Sequence, residues 1–302
     1  MRYAVIADIH GNIRALEAVM NDATRQNIDE YIFAGDYYRD FPYINETVSL
    51  IRSLKNAHVI AGNNEEYLAR MRSEDQATWT RDQYSALYWN FRECSAENMV
   101  YLCALPNELT IEGKIRVIHS MSAIFPREKE LLLYAGTIPR NFDILQEHAR
   151  RQLSKNSDVT QTLNDCGESV FIFGHSHVQW FAEMNGKLLI NPGSCGAPLD
   201  AEGGAPYTIL EIGGGKLCAT QRRVEYDMDG AMDEARAAAA YTASPIWYEL
   251  LFHQMRTRTE SFVVFFRIGM EEFGHGSPYS NEEWARMFAL WQKRVGHHTS
   301  AL

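Results

Sequence analysis

The residues best suited to bind metal ions in this sequence follow predicted strands. The segment Phe173-Gly174-His175-Ser176-His177 places two imidazoles one residue apart behind an apolar run. Carboxylate, amide and imidazole side chains follow four other such runs, which gives seven candidate ligands: Asp8, His10, Asp36, Asn63, His119, His175 and His177. Such groups bind divalent cations, and open α/β sheets bind their ligands beyond the carboxyl ends of the strands. One member alone would mean little, but an ordered set after five strands predicts a shared metal site.

The charge of such a site favours an anionic substrate. Two divalent cations and the carboxylates of Asp8 and Asp36 would leave a net charge of about +2, and a bridging hydroxide would lower it to about +1. A phosphate oxygen is attracted to such a centre without a basic surface. The chain itself is acidic, with 29 Lys and Arg against 39 Asp and Glu. We therefore expect no binding to duplex nucleic acid.

An alternation of strand and helix patterns positions the first ligands. Short apolar strands are predicted at residues 3–7, 31–34 and 58–61, and each is followed by an amphipathic helical pattern. Strands that alternate with helices are typical of a largely parallel sheet covered on both faces. The sequence therefore predicts an α/β fold.

The second half of the predicted fold is more antiparallel. Residues 80–104 are predicted to be helical, with Ser95 as a helix N-cap, and a polar segment at 141–164 is compatible with a helix. The remaining strands form three hairpin-like pairs, namely 108–112 with 115–118, 180–184 with 188–190, and 207–212 with 217–221.

Composition argues against several classes of protein. Hydrophobic residues make up 46% of the chain, and no apolar run approaches the roughly 18 residues of a membrane helix. The first residues lack the apolar centre of a signal peptide, so we expect a cytoplasmic protein with no membrane partner. The five cysteines form no Cys-x-x-Cys pair, which argues against a disulfide framework or a zinc knuckle.

In order and spacing, the candidate ligands resemble the calcineurin-like metallophosphoesterase superfamily. The matching motifs are Asp8-Ile9-His10-Gly11-Asn12, Gly35-Asp36, Gly62-Asn63, His119 and Gly174-His175-Ser176-His177. The segment from Ile190 to Asp200 resembles the Asn-Pro-Gly-Ser segment of bacterial phosphodiesterases of the YfcE type. The resemblance covers about residues 1–225, and it implies a four-layer αββα sandwich.

The resemblance also implies how the ligands divide between two divalent metal ions. The implied ligand sets are Asp8, His10 and His177 for one ion and Asn63, His119 and His175 for the other, with Asp36 bridging. Manganese is the expected ion, with iron, zinc, magnesium and nickel as alternatives. A hydroxide held between two such ions attacks phosphorus in line, so the implied reaction is phosphoester hydrolysis.

One residue departs from the family pattern. Asn64 stands where the family has a histidine that protonates the leaving oxygen, and a carboxamide cannot donate a proton at neutral pH. This favours acidic leaving groups, as in a phosphodiesterase or nucleotide pyrophosphohydrolase acting on a small phosphoester or nucleotide. We expect Asn64 and Asp36 to act in catalysis, and Asn64, Asn12 and Arg39 to contact substrate. The leading alternative for Asn12 is a helix cap, and for Arg39 a solvated surface charge.

Two other functions use the same fold. A serine/threonine-type phosphoprotein phosphatase or a phosphomonoesterase would need the same metal centre, but the loop after Asp36 lacks the Asp-Arg-Gly run of the protein phosphatases. A non-catalytic scaffold is less favoured, because all the inferred metal ligands are present.

The composition of the chain changes near Asp229. An alanine-rich run is followed there by three aromatic-rich helical patterns that extend to the end. We therefore expect a catalytic domain at 1–228 and a helical extension at 229–302. The aromatic content exceeds that of an isolated solvated helix, so the extension is expected to cover the active-site mouth or to form a homodimer interface.

Overall fold

Two five-stranded sheets form the centre of the fold. The computed structural model describes residues 1–123, 146–147, 150–151, 153–155, 157–200, 203–258 and 260–299. The first sheet consists of β1 (Arg2–Ile6), β2 (Glu30–Phe33), β3 (Ala57–Val59), β9 (Ala205–Gly213) and β10 (Lys216–Val224). The first three strands are parallel neighbours, as predicted. The β9–β10 hairpin joins the other edge of β1 in antiparallel orientation, which gives the order β10-β9-β1-β2-β3.

The second sheet is also mixed. It consists of β4 (Glu108–Ile111), β5 (Ile115–Ile118), β6 (Val170–Ile172), β7 (Gln179–Met184) and β8 (Lys187–Pro192), in the order β4-β5-β6-β8-β7. Its three central strands are parallel, while β4 and β7 pair with them in antiparallel orientation at the two edges. All three predicted hairpins are confirmed.

In the part of the chain that the structure describes, six helices with defined bounds pack on the two sheets. They are α1 (Ile13–Arg25), α2 (Ile44–Ser53), α3 (Asn63–Ser73), α4 (Ser85–Glu93), α5 (Ala96–Cys103) and α6 (Ser157–Asp165). Ser95 caps α5 as predicted, since its hydroxyl accepts a 3.2 Å hydrogen bond from the backbone N–H of Asn98. The predicted helix at 141–164 lies partly outside the described residues, and its described end contains α6.

Side-chain alternation along the strands separates the apolar core into layers. In β1, Ala4 and Ile6 belong to a cluster with the helices, whereas Tyr3 and Val5 belong to a cluster shared by the two sheets. On the far side of the second sheet, Phe171 packs in a third cluster that includes side chains of α6. The expected αββα sandwich is therefore confirmed.

The C-terminal helices pack directly on this sandwich. They are α7 (Met228–Ala237), α8 (Ala239–Ala243), α9 (Pro245–Thr257), α10 (Ser261–Phe273) and α11 (Asn281–Thr299). Met232 and Leu251 share a buried cluster with Phe41 and Ala197, which lie in loops of the sandwich. The division into domains at 228 and a homodimer through these helices stay predictions.

The helices give no indication of a membrane span. In the described part of the chain, none is both long and apolar enough to cross a bilayer. The cytoplasmic location stays a prediction.

Candidate metal centre

All seven candidate ligands lie where strands of the two sheets end. The loops after β1 and β6 carry two each, the loops after β2 and β5 carry one each, and one begins helix α3 just after β3. In chain order they are Asp8, His10, Asp36, Asn63, His119, His175 and His177. Asp8 is fully buried and Asp36 is 2% exposed, whereas His175 lies exposed at the mouth. The loops of both sheets therefore converge on one place.

The first expected ligand set is brought together on one side of this place. The Nε2 atoms of His10 and His177 lie 2.9 Å apart. Oδ1 of Asp8 lies 3.5 Å from Nε2 of His177 and 3.9 Å from Nε2 of His10. One carboxylate and two imidazoles can thus share a single cation.

The second expected set lies on the other side, with Asp36 between the two. Oδ1 of Asn63 lies 3.1 Å from Nε2 of His119 and 2.9 Å from Nδ1 of His175. Oδ2 of Asp36 lies 3.5 Å from Nε2 of His119 and 3.8 Å from Nε2 of His10. The structure therefore places Asp36 within reach of both sets.

Hydrogen bonds outside the centre orient three of the four imidazoles. Nδ1 of His119 donates to the carbonyl oxygen of Ala34 at 2.7 Å, and Nδ1 of His177 donates to that of Ala197 at 2.8 Å. Nδ1 of His10 lies 3.1 Å from Oδ2 of Asp40. These contacts leave each Nε2 directed into the centre, which is the usual arrangement around metal-binding histidines.

The charges of the centre favour a bound cation. Burial alone would lower the pKa of His10, but the carboxylates of Asp40, Asp8 and Asp36 together raise it to about 10. Burial is likewise outweighed at His119, where Asp36 and Asp8 raise the pKa to about 10. The carboxylates of the centre therefore stabilise positive charge close to His10 and His119. Bound divalent cations would supply that positive charge in place of the protons.

The other two imidazoles are suited to bind metal as neutral groups. Burial, followed by the positive charge of His119, lowers the pKa of His175. Burial and the nearby His10 lower the pKa of His177 in the same way. A neutral imidazole is the form that donates a lone pair to a metal ion.

The backbone of the centre is strained. Five of the seven candidate ligands have positive φ angles between 52° and 68°, namely Asp8, His10, Asp36, His175 and His177. Left-handed backbone is unfavourable for residues other than glycine, and it persists where the surroundings enforce it, commonly at functional sites. The Asp36 carboxylate also packs so closely on the backbone of residue 62 that only glycine fits there, since a Cβ on Gly62 would lie 2.2 Å from Oδ1 of Asp36.

A buried glutamate joins the loops after β2 and β3. The carboxylate of Glu65 accepts hydrogen bonds from the backbone N–H groups of Asp36 and Tyr37, both at 3.0 Å, and of Gly62 at 2.8 Å. Burial and the nearby Asp36 raise the pKa of Glu65 to about 7. The sequence assigned no role to Glu65, and the structure shows that its carboxylate holds the backbone of Asp36 in place.

Two of the residues expected to contact substrate are turned into the protein. Asn12 is 1% exposed and caps α1, since its Oδ1 accepts a 3.2 Å hydrogen bond from the N–H of Ala15. Asn64 is fully buried, and its amide donates to the carbonyl oxygen of Tyr38 at 3.2 Å. Neither side chain lines the pocket above the metal ligands.

Arg39, by contrast, lines that pocket. Nη1 donates a 3.3 Å hydrogen bond to Oδ1 of Asn64, and the guanidinium carbon lies 4.3 Å from the ring centroid of Trp247. Within the described residues, the buried Nε has no hydrogen-bond partner. Nε does lie 3.9 Å from Oδ1 of Asp40, so Arg39 is an ordered cation at the pocket and not a solvated surface charge.

Sequence reasoning missed Asp40 and Trp247. Asp40 follows Arg39 in the loop after Asp36, where the sequence alone does not distinguish it from other loop carboxylates. Trp247 lies on α9, and its indole N–H donates to Oδ1 of Asp40 at 3.0 Å. No pattern around Trp247 in the sequence separates it from the other aromatic residues of the extension.

The pocket itself lies between the metal ligands and the C-terminal helices. Its volume is about 270 Å³. The sandwich contributes His10, Asp36, Asn63 and His175 among others, and the extension contributes Trp247, Gln254, Glu260, Phe262 and Val263. The extension therefore forms one wall of the pocket mouth, which agrees with the expectation that it covers the active-site mouth.

Comparison with known proteins agrees with this fold and with these residues. The family model of the calcineurin-like phosphoesterase superfamily domain matches residues 1–215. The chain therefore belongs to the calcineurin-like phosphoesterase superfamily, as the sequence motifs predicted. The matched region contains all seven candidate ligands and ends before the C-terminal helices.

Three relatives extend the comparison. The chain is 30% identical over 248 residues to the uncharacterized protein MJ0912 of Methanocaldococcus jannaschii, which covers 76% of this chain and 90% of that protein. A metallophosphoesterase from Sphaerobacter thermophilus is 25% identical, with a TM-score of 0.61 over 86% of this chain and 100% of that one. The hypothetical protein PH1004 from Pyrococcus horikoshii OT3 is 19% identical, with a TM-score of 0.61 over 83% of this chain and 97% of that one. The last similarity is one of fold alone.

Proposed function

We propose that this phosphoesterase hydrolyses phosphodiester or nucleotide pyrophosphate bonds with two divalent metal ions. The observation that carries the proposal is the arrangement of two ligand sets on either side of Asp36, with three imidazoles oriented by outer hydrogen bonds. The first set would be Asp8, His10 and His177, and the second Asn63, His119 and His175.

The donor atoms fit divalent first-row metals. Each set combines imidazole nitrogen with a carboxylate or amide oxygen, and the carboxylate of Asp36 is available to both sets. Such mixed ligands accept manganese, iron, zinc, magnesium or nickel, and geometry and availability decide among them. We propose manganese as the activating ion. When bound, the two ions would supply an activated water and neutralise charge on the phosphoryl group.

Residues of the chain itself would bind and orient the phosphoester. Arg39 lines the pocket with a side chain that is 23% exposed, so its guanidinium can donate to a phosphoryl oxygen there. Asn64 orients Arg39 through the hydrogen bond to Nη1 and does not reach the pocket. We therefore propose Arg39 as a substrate-binding residue and Asn64 as a positioning residue.

The preference for diesters and anhydrides follows from Asn64. A carboxamide transfers no proton to a leaving oxygen, and missing general-acid help costs about 10²–10⁴ in rate for a poor leaving group. Aryl, nucleotide and pyrophosphate leaving groups are acidic enough to depart without that help. The alkoxide leaving group of an alkyl monoester is too basic to depart without it.

Hydrolysis of bis-p-nitrophenyl phosphate tests the proposal. The metal-free protein should be inactive and should regain activity when manganese is added. The activity with manganese is compared with that restored by iron, zinc, magnesium or nickel. Asp36→Asn and His175→Ala should each lower kcat/KM by about 10²-fold or more. The control is His58→Ala, because His58 pairs with Glu30 on the surface.

The alternatives predict different results. A phosphomonoesterase or phosphoprotein phosphatase would hydrolyse alkyl monoesters or phosphopeptides faster than diesters. A scaffold would bind manganese and hydrolyse no phosphoester in a panel of monoesters, diesters, cyclic nucleotides and dinucleoside polyphosphates. Either result would contradict the proposal.

A further inference from the structure

The pocket is larger than a phosphoryl group requires. Its volume is about 270 Å³, whereas a single water needs only roughly 10–15 Å³ on the same measure. A phosphate held at the metal ligands would fill the side formed by the sandwich. The side formed by α9 and α10 then remains for an organic group of the substrate.

Gln254 on α9 offers this group a hydrogen-bonding edge. The residue is 4% exposed and lines the pocket. No hydrogen bond joins its amide to another residue in the described part of the chain. The amide is therefore open to the pocket and offers one donor group and one acceptor side by side to whatever binds there. A ligand with a complementary donor and acceptor would satisfy it.

Apolar side chains lie beside this amide. The rings of Phe262 and Trp247 are 4.3 Å apart between centroids, and Val263 and Leu199 line the same space. Phe262 is half-buried, so part of its surface faces the pocket. The organic group must therefore combine a flat apolar surface with a polar edge.

The distribution of cations limits the charge of that group. Among the described residues that line the pocket, Arg39 is the single Lys or Arg. One guanidinium beside two metal ions suits one phosphoryl group. A chain of further phosphates extending toward α10 would find no additional cation there, so the organic group carries no negative charge.

Resting on the proposed function, we propose that Gln254 and Phe262 form a subsite for one nucleoside of the phosphoester. A nucleobase has the required flat surface and polar edge, and glutamine amides pair with the N6 and N7 atoms of adenine through two hydrogen bonds. Adenosine is therefore the probe.

Binding to the metal-free protein tests the subsite without catalysis. Titration calorimetry should show adenosine binding to the wild-type chain and at least about tenfold weaker binding to Gln254→Met, which removes the amide at nearly constant volume. The matched control is Gln221→Met, because the Gln221 amide likewise has no hydrogen-bond partner among the described residues but lies on β10, outside the pocket lining. Circular dichroism melting checks that each variant is folded.

Kinetics separates the subsite from the proposed function. The p-nitrophenyl ester of adenosine 5′-phosphate and methyl p-nitrophenyl phosphate release the same leaving group, so their kcat/KM ratio reports the nucleoside. With manganese, this ratio should exceed about ten in the wild type and in Gln221→Met and fall to about one in Gln254→Met. Equal wild-type values for the two esters would overturn the subsite and leave the proposed function standing. Adenosine binding without hydrolysis of either ester would support the subsite and contradict the function.

Discussion

The indole N–H of Trp247 donates a 3.0 Å hydrogen bond to Oδ1 of Asp40, and Oδ2 of the same carboxylate lies 3.1 Å from Nδ1 of His10. Asp40 is 5% exposed and Trp247 is 4% exposed, so water does not compete for either contact. A continuous path thus leads from the C-terminal helices to a candidate metal ligand. Through it, the extension contributes to the metal centre as well as to the pocket wall.

Trp247→Phe should weaken metal binding. Phenylalanine preserves an aromatic ring beneath Arg39 but removes the donor to Asp40. The carboxylate that orients His10 then keeps only its contacts with His10 and Arg39 among the described residues. Changes to residues that orient metal ligands cost about 10–100-fold in metal affinity, and we expect the lower end of that range because Trp247 acts through Asp40. Titration of the metal-free protein with manganese measures the change.

The control for this variant is Trp291→Phe. Trp291 is 4% exposed on α11, and its Nε1 has no hydrogen-bond partner among the described residues. This substitution therefore changes a buried indole of the same extension without removing a hydrogen bond. Equal manganese affinity in Trp247→Phe and the wild type would show that Asp40 does not depend on the indole.

Arg39→Lys should raise KM for bis-p-nitrophenyl phosphate by about tenfold and change kcat less. Lysine keeps the charge but loses the planar group that lies over Trp247 and donates to Asn64 at the same time. Steady-state kinetics with saturating manganese separates the two constants. Arg236→Lys is the matched control, because Arg236 also lies over an aromatic ring, 4.8 Å from the centroid of Phe252. An unchanged KM would remove Arg39 from the substrate site.

The sequence predicted the strands and the candidate ligands because both are local patterns. An apolar run that ends in Asp, Asn or His is visible within a few residues, and parallel strands bring such ends together. The helix cap at Asn12 was visible for the same reason. These features required no knowledge of contacts between distant parts of the chain.

The features that were missed depend on distant contacts. Trp247 and Asp40 are 207 residues apart, and nothing near either one indicates the other. The inward orientation of Asn64 depends on the position of Tyr38, which its place in a motif does not reveal. The pocket wall formed by Gln254 and Phe262 likewise depends on how α9 and α10 pack on the sandwich.

Glu65→Gln should destabilise the protein and weaken manganese binding. One carboxylate oxygen that accepts a backbone hydrogen bond becomes an amino group, which would face the donor N–H groups of Asp36, Tyr37 or Gly62. Leaving one such buried N–H unsatisfied costs about 1–3 kcal/mol in the free energy of unfolding. Urea denaturation of the metal-free protein measures this cost, and calorimetry measures the metal affinity. Glu66→Gln, at the exposed neighbouring position, should change neither quantity.

Asp22→Asn should destabilise the attachment of α1 to the first sheet. The Asp22 carboxylate accepts hydrogen bonds from Tyr207 Oη at 2.7 Å and from Arg222 Nε and Nη2 at 2.8 and 3.2 Å. Its side chain is 9% exposed. Hydrogen bonds to a charged group of this kind contribute about 1.5–3 kcal/mol. We expect a loss of that order in the free energy of unfolding at pH 7.

The effect of Asp22→Asn should depend on pH in one direction. Hydrogen bonds from Arg222, and then from Tyr207, hold the pKa of Asp22 below its usual value, although burial opposes them. An aspartate with a lowered folded-state pKa stabilises the protein above its unfolded-state pKa of about 3.9 and loses that contribution as the pH falls through the folded-state value. The difference in the free energy of unfolding between wild type and variant should therefore be at its full size at pH 7 and shrink below about pH 4. Urea denaturation at several pH values measures it, with Asp233→Asn on the exposed face of α7 as the control. A difference that stayed constant down to about pH 2 would show that the Asp22 charge contributes nothing.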